Sequence, residues 1–139
     1  GAAHPDVVVS ATGFVTLARA GTVVQLGDGF TAAGAMLPSD FASQTGTASG
    51  KTKKISKLEL WVYRSATFDT GPDEDNLDPI VMRDSADAMD TATALQSGIF
   101  DLSWPDGYSD MAPVMVRQSK PMAMAAMALI PTMTVQEGS

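Results

Sequence analysis

Cysteine is absent from the sequence, and histidine occurs only once. The lack of cysteine excludes disulfide bonds and thiolate metal sites. The one histidine, His4, stands beside Pro5 near the start of the chain, so a Ser-His-acid triad or a histidine metal cluster would rest on this single residue. Aspartate and glutamate are numerous, but no pair is marked for hydrolysis. The sequence therefore predicts that the protein is not an enzyme and needs no cofactor.

Long hydrophobic runs are also lacking. No apolar run reaches the roughly 18 to 20 residues that a membrane-spanning helix needs, so we predict no transmembrane segment. The 139 residues are 45% hydrophobic, which fits a single domain with a core of its own over residues 1–139. The chain begins with Gly1 and not with methionine, so we expect it to be part of a longer protein.

The clearest structural signal is an alternation of residue types from Ser56 to Tyr63. An extended strand here has one largely apolar face and one mixed face: Ser56, Leu58, Leu60 and Val62 against Lys57, Glu59, Trp61 and Tyr63. The apolar face is typical of a core. The mixed face carries two aromatics between charges, which is typical of a partner-binding sheet surface and equally of an ordinary solvated one.

Other β-prone runs are separated by turn-forming residues, at 6–10, 14–17, 22–26, 79–83, 99–104 and 114–117. The first two would form a hairpin, and residues 30–50 read as a long loop. Residues 122–130 contain good helix formers, but they lie between Pro121 and Pro131 after a strand-like run, so strand is favoured over helix. The sequence predicts an all-β fold, an antiparallel β-sandwich or barrel-like domain with long irregular loops.

The net charge of −7 is unevenly distributed along the chain. Five of the nine basic residues cluster in one stretch: Lys51, Lys53, Lys54, Lys57 and Arg64. From Asp69 to Asp110, eleven acidic residues stand against one arginine, a net charge of −10. Because a nucleic-acid grip needs a broad basic face, we predict no sequence-specific nucleic-acid binding.

Two ligand motifs are suggested by the sequence and neither fits. The run Ser49 to Thr52 resembles the end of a phosphate-binding loop, but the earlier glycine is misplaced and a strand follows where a helix should. The acidic turn over residues 71–76 lacks the spacing of an EF-hand loop. A weak surface Ca²⁺ site there stays open as an alternative to a solvated turn.

A series of short motifs, in order, resembles the C-terminal region of tail nozzle proteins of short-tailed bacteriophages, also called tail tubular protein B or stabilisation proteins. The matching pieces, which cover nearly the whole chain, are His4-Pro5-Asp6, residues 14–17, 22–27 and 46–55, Gly71-Pro72-Asp73, Leu95-Gln96-Ser97-Gly98, residues 104–108 and residues 114–131. Each piece alone is a turn or a strand, and their shared order carries the resemblance.

The resemblance implies a structural virion protein, the C-terminal part of a longer chain, which assembles in the host cytoplasm. Copies would form a ring, typically six-fold, beneath an adaptor and next to other tail proteins, around the channel through which DNA is ejected. We then expect Lys51, Lys53, Lys54, Trp61 and Tyr63 at subunit interfaces. A second set, Asp73, Glu74 and Asp75, would stay solvated toward the channel or on the rim, where acidic groups repel DNA.

A different class of protein is the alternative. A β-sandwich module that decorates the virion or recognises the host would use exposed aromatics, here Trp61, Tyr63 and Trp104. Assembly separates the two hypotheses, because a nozzle part belongs in a ring and a recognition module on the periphery.

Overall fold

A computed structural model of the chain describes residues 3–43, 46–83, 85–87, 94–104 and 107–136. Within these residues there is no helix, and every strand pair is antiparallel. The strands are β1 (Ala32–Ala35), β2 (Ala42–Ser43), β3 (Gly46–Thr47), β4 (Lys53–Ser65), β5 (Phe68–Gly71), β6 (Asp78–Ile80), β7 (Gln96–Leu102), β8 (Met115–Gln118) and β9 (Ala126–Val135). The predicted all-β antiparallel fold is confirmed.

The strands form two main sheets and one small hairpin. A four-stranded sheet has the order β1-β8-β5-β6, a three-stranded sheet has the order β7-β4-β9, and β2 pairs with β3. The sheets do not close, so the barrel-like alternative is wrong. Both sheets therefore have edge strands, which are β1 and β6 in one and β7 and β9 in the other.

One apolar cluster joins the two sheets. Its buried members come from both, with Leu58, Leu60 and Val62 in β4, Phe68 in β5 and Val116 in β8. Each fully buried side chain of this kind contributes about 1.5–3 kcal/mol by leaving water. The core thus lies between the sheets, and the other face of β4 is left toward solvent.

The alternation predicted for residues 56–63 of β4 is confirmed from Lys57 to Tyr63, and Ser56 alone departs from it. Ile55 and Lys57 lie opposite Met133 and Thr132 of β9, so Ser56 is an additional residue in β4, a β-bulge. The bulge exposes Ser56, predicted on the core face, and its hydroxyl donates to the Thr132 carbonyl at 3.1 Å. One extra residue in a strand shifts the inward-facing positions by one. Odd-numbered residues, Lys53 and Ile55, are therefore buried on the N-terminal side of the bulge, and even-numbered residues are buried after it.

The strand predicted at 122–130 is confirmed as a strand, but it begins at Ala126 and continues through Pro131. Before the strand begins, the Ala125 N–H donates to the Ser65 hydroxyl at 2.9 Å, and the Ala125 carbonyl accepts from the Tyr63 N–H. One of these two hydrogen bonds is therefore made by a side chain and not by the backbone of β4. An edge strand tolerates proline because one row of its backbone groups needs no partner in the sheet.

Other boundaries move by a few residues. The strands predicted at 79–83, 99–104 and 114–117 are found as β6, β7 and β8. Residues 30–50, predicted as loop, contain β1, β2 and β3. The matching piece at 104–108 includes Pro105 and Asp106, and the acidic stretch includes Asp84 and Asp90; these four lie outside the described residues.

The strands predicted at 6–10, 14–17 and 22–26 are wrong, since no strand lies between residues 3 and 31. Only the turn of the predicted hairpin exists: the Ser10 N–H donates to the Phe14 carbonyl at 2.9 Å, and the Gly13 N–H to the Ser10 carbonyl at 2.8 Å. Many apolar side chains of this segment are exposed, Val8 by 92% and Val23 by 87%. The residues are strand-prone, but the described part of the chain contains no strand that pairs with them.

Candidate functional site

The outer surface of the three-stranded sheet exposes aromatic and aliphatic side chains together. Trp61 in β4 lies directly opposite Ile99 in β7 and Ala128 in β9. Trp61 is 48% exposed and Ile99 58% exposed, although both are large hydrophobic residues. We call this surface the outer face; its exposed large side chains are Trp61, Tyr63, Ile99 and Ile130.

The charged end of the outer face is internally neutralised in part. Glu59 and Asp101 lie opposite each other on β4 and β7, where two carboxylates would repel. The ammonium of Lys57 lies 2.8 Å from a Glu59 oxygen and 3.1 Å from an Asp101 oxygen. These hydrogen bonds, first to Glu59 and then to Asp101, raise the pKa of Lys57. The outer face therefore exposes apolar side chains next to a cluster of three charged side chains that form ion pairs with one another.

The three lysines predicted to dock together are separated by the fold. The Lys51 ammonium donates to the Ser43 hydroxyl at 2.7 Å on the small hairpin, and the Lys54 ammonium lies 5.8 Å from the centre of the Tyr108 ring. Lys53 is 2% exposed, and its ammonium donates to the Asp110 carbonyl at 3.2 Å. The prediction is wrong for Lys53, which is an interior residue.

Backbone pairing explains the burial of Lys53. It pairs with Val135 of β9 on one side, and on the other its N–H and carbonyl exchange hydrogen bonds of 2.8 and 2.7 Å with Ser109. A long aliphatic stem can be covered in this way while the ammonium reaches a carbonyl. The Ser56 bulge sets the inward direction, and a run of Lys-Lys-Ile gives no sign of a bulge.

Of the three aromatics assigned to a recognition surface, two lie on the outer face and one does not. Trp61 and Tyr63 are about half exposed. Trp104 is half-buried and packs against the apolar core. The three aromatic side chains therefore do not form one exposed surface.

The acidic turn is organised around one carboxylate. The Asp73 Oδ1 atom accepts from the backbone N–H groups of Asp75 at 3.0 Å and Asn76 at 2.9 Å, and from the Asn76 side-chain amide at 2.8 Å. These hydrogen bonds, with the Asn76 side chain as the largest cause, lower the pKa of Asp73. Asp73, Glu74 and Asp75 are all exposed.

The depressed pKa of Asp73 predicts an acid-sensitive turn. Its stabilising effect is present above the unfolded carboxyl pKa of about 3.9 and is lost as the pH falls through the lower folded value. We expect the melting temperature to fall below about pH 4, and Asp73→Asn to flatten this fall. Asp75→Asn is the matched control, since that residue contributes its backbone N–H to the turn. Equal pH profiles for the two variants would show that Asp73 has no special role.

Neither the acidic turn nor residues 49–52 have the arrangement of a metal or phosphate site. Among the described residues, no group of three or more His, Asp or Glu side chains could hold a metal ion. After Gly50 and Lys51 the chain enters β4, a strand, as the sequence indicated. The Asp73 carboxylate is directed at the turn's own N–H groups, which is the arrangement of a solvated turn.

An open cleft lies on the surface between residues 3–6 and the loop 119–122. His4 contributes to it, but both ring nitrogens are occupied: Nδ1 lies 2.8 Å from the Pro5 carbonyl, and Nε2 accepts from the Ala18 N–H at 2.9 Å. His4 thus links the start of the chain to Ala18 within the N-terminal segment.

The described residues include no helix with the length and hydrophobicity that a membrane crossing needs.

No protein-family model matches the sequence, and no curated protein matches it. The resemblance to tail nozzle proteins stays a prediction. Function must be argued from the surface of the chain itself.

Sequence reasoning found Trp61 and Tyr63 but not their neighbours. The alternation at 99–104 puts Ile99 on the face opposite Phe100 and Leu102, yet its residue type does not reveal that this face is exposed. Ile130 and Met127 stand in a run that reads as core filler. The missing information was which strand flanks β4 on each side, because register places Ile99 opposite Trp61 and Ile130 opposite Glu59.

Proposed function

We propose that the chain is a structural subunit of a bacteriophage virion, in the tail nozzle through which DNA leaves. It acts by contact with further copies of itself in a ring and with neighbouring tail proteins. The observation that carries the proposal is the outer face, where Trp61, Ile99 and Ile130 are exposed together on one sheet. Contiguous exposed apolar groups of this kind mark surfaces that bind other proteins.

The ordered resemblance to nozzle proteins selects this assembly among the many that an apolar surface could serve. The acidic turn supports the same choice, because Asp73, Glu74 and Asp75 are exposed and carry like charge. A channel wall with such groups repels the phosphate backbone, so DNA slides past without binding. The basic residues do not oppose this, since Lys53 is buried and Lys57 is engaged with carboxylates.

Copy number tests this proposal. Quantitative mass spectrometry of purified particles that contain the chain should give about six copies per particle, the number in the six-fold ring that the resemblance implies. A protein of the capsid with known symmetry serves as the internal standard. Hundreds of copies per particle would place the chain on the capsid surface, and its absence from particles would refute a virion role altogether.

A decoration or host-recognition module is the second candidate, favoured by the exposure of Trp61 and Tyr63. Both aromatics bring a large rigid surface with a polar tip, which suits recognition as well as assembly. The same copy number decides between the two, because a decoration module would follow the number of capsid subunits.

A further inference from the structure

Residues 22–26 have the composition of a strand but no partner. The sequence Thr22-Val23-Val24-Gln25-Leu26 is uncharged, and Val23 and Leu26 are 87% and 70% exposed. Within the described part of the chain, no hydrogen bond involves these five residues. A segment that forms a strand on contact with another sheet exposes both its backbone hydrogen-bonding groups and its apolar side chains before that contact. Residues 22–26 expose both.

The edge strand β9 lacks most of the features that protect an edge. No charged residue occurs from Pro121 to Gln136, which includes all of β9. Natural edges are usually short or carry lysines, whereas β9 has ten residues and is interrupted only by Pro131 and a bulge at Met127. Ile130 and Met127 are exposed along it. An uncharged edge of this length is a template for an added strand.

We propose that residues 22–26 of one copy add as a strand to the free edge of β9 in a second copy. The pairing would satisfy the free backbone groups of β9 and the row of donor backbone groups that faces them. Val24 and Leu26 lie on one face of an extended strand, so together they could extend the apolar outer face beside Ile130. Neither segment carries a charge that the contact would have to desolvate. The inference rests on the proposed function for its claim that copies contact one another.

A second copy is the fitting occupant because both halves of the contact belong to one chain. Pairing of β9 with β9 would satisfy that edge alone and leave residues 22–26 exposed. The donor and acceptor segments are different parts of the chain, so the contact is heterologous. Heterologous contacts continue from copy to copy and form a ring when the rotation between copies closes, whereas a contact between identical edges stops at a dimer.

Two variants separate the donor from the acceptor. Val23→Pro with Val24→Pro removes the N–H groups of the donor on both of its edges, at positions that make no hydrogen bond in the described chain. Met127→Lys with Ile130→Lys charges the acceptor edge at exposed positions, and the ammonium introduced at position 130 would lie opposite Glu59. Val8→Pro with Val9→Pro is the matched control, because these valines are also exposed and adjacent.

Sedimentation of the full chain provides the test. We expect wild type and control to self-associate, and each double variant to sediment as a 14.5 kDa monomer with at least about tenfold weaker association. An equal mixture of the two variants retains one intact donor and one intact acceptor, so it should form a one-to-one dimer. A monomeric wild type, a mixture that stays monomeric, or loss of association in the control would each overturn the proposal. The copy number in particles is independent of these outcomes, so failure here leaves the proposed function standing.

Discussion

Glutamate in place of Lys53 is expected to destabilise the folded chain by about 3–5 kcal/mol, the cost of an unpaired buried charge. The side chain of Lys53 is 2% exposed and its ammonium donates to the Asp110 carbonyl. A carboxylate there would face that carbonyl with no proton to donate, on a residue that the fold covers almost completely. Since small domains have only about 5–15 kcal/mol of stability, much of the total would be lost.

Methionine at the same position should be tolerated. It keeps the length of the aliphatic stem and removes one hydrogen bond, so we expect a change within about 1.5 kcal/mol. Lys54→Glu is the matched control, because it makes the same exchange on the adjacent residue, which is only partly buried and lies beside the Tyr108 ring. It should cost about 1 kcal/mol or less.

Urea unfolding measures these three variants. A drop in midpoint for Lys53→Glu with an unchanged slope, and small changes for the other two, would establish Lys53 as an interior residue. If instead Lys53→Glu unfolds at the wild-type midpoint and only self-association is lost, the lysine belongs to a docking surface as the sequence suggested.

Alanine in place of Gly71 is the second large effect, with an expected loss of about 3 kcal/mol from overpacking. Gly71 ends β5 and is buried where the acidic turn folds back on the strand. A Cβ atom there would collide with the Asn76 carbonyl oxygen and come within 3.0 Å of the Leu77 Cα atom. These are backbone atoms, so the whole turn would have to move.

Gly34→Ala is the control for Gly71, since Gly34 lies in β1 of the same sheet and a Cβ atom there meets nothing within 4 Å. It should leave the midpoint unchanged or raise it slightly by restricting the unfolded chain. Thermal melts of both variants provide the measurement. Equal melting temperatures would mean that the turn does not pack against Gly71.

The strand β4 was largely predictable because its alternation depends on neighbouring residues alone. Leu58, Leu60 and Val62 face the core as the pattern indicated. The burial of Lys53 was not predictable, because the Ser56 bulge depends on how β4 pairs with β9, which lies about seventy residues further along the chain. The outer face could not be predicted for the same reason. Its residues lie on three strands far apart in the sequence, and only the pairing of those strands brings them together.

Residues 22–26 show the opposite kind of failure. Their composition is that of a strand, and the prediction failed because a strand needs a partner as well as a propensity. β5 was missed for a related reason: Phe68 to Gly71 contains an aspartate and a glycine, and pairing with β8 and β6 on both sides makes it a strand. Local sequence thus predicted the fold class, and tertiary pairing decided which runs became strands.

The most direct test of the structural role is an image of the assembled particle with this chain located by a bound antibody fragment. We expect label on the tail axis below the capsid, in a ring of about six positions with the turn at residues 71–76 toward the channel or on the rim. Label on the capsid surface or on peripheral fibres would contradict it.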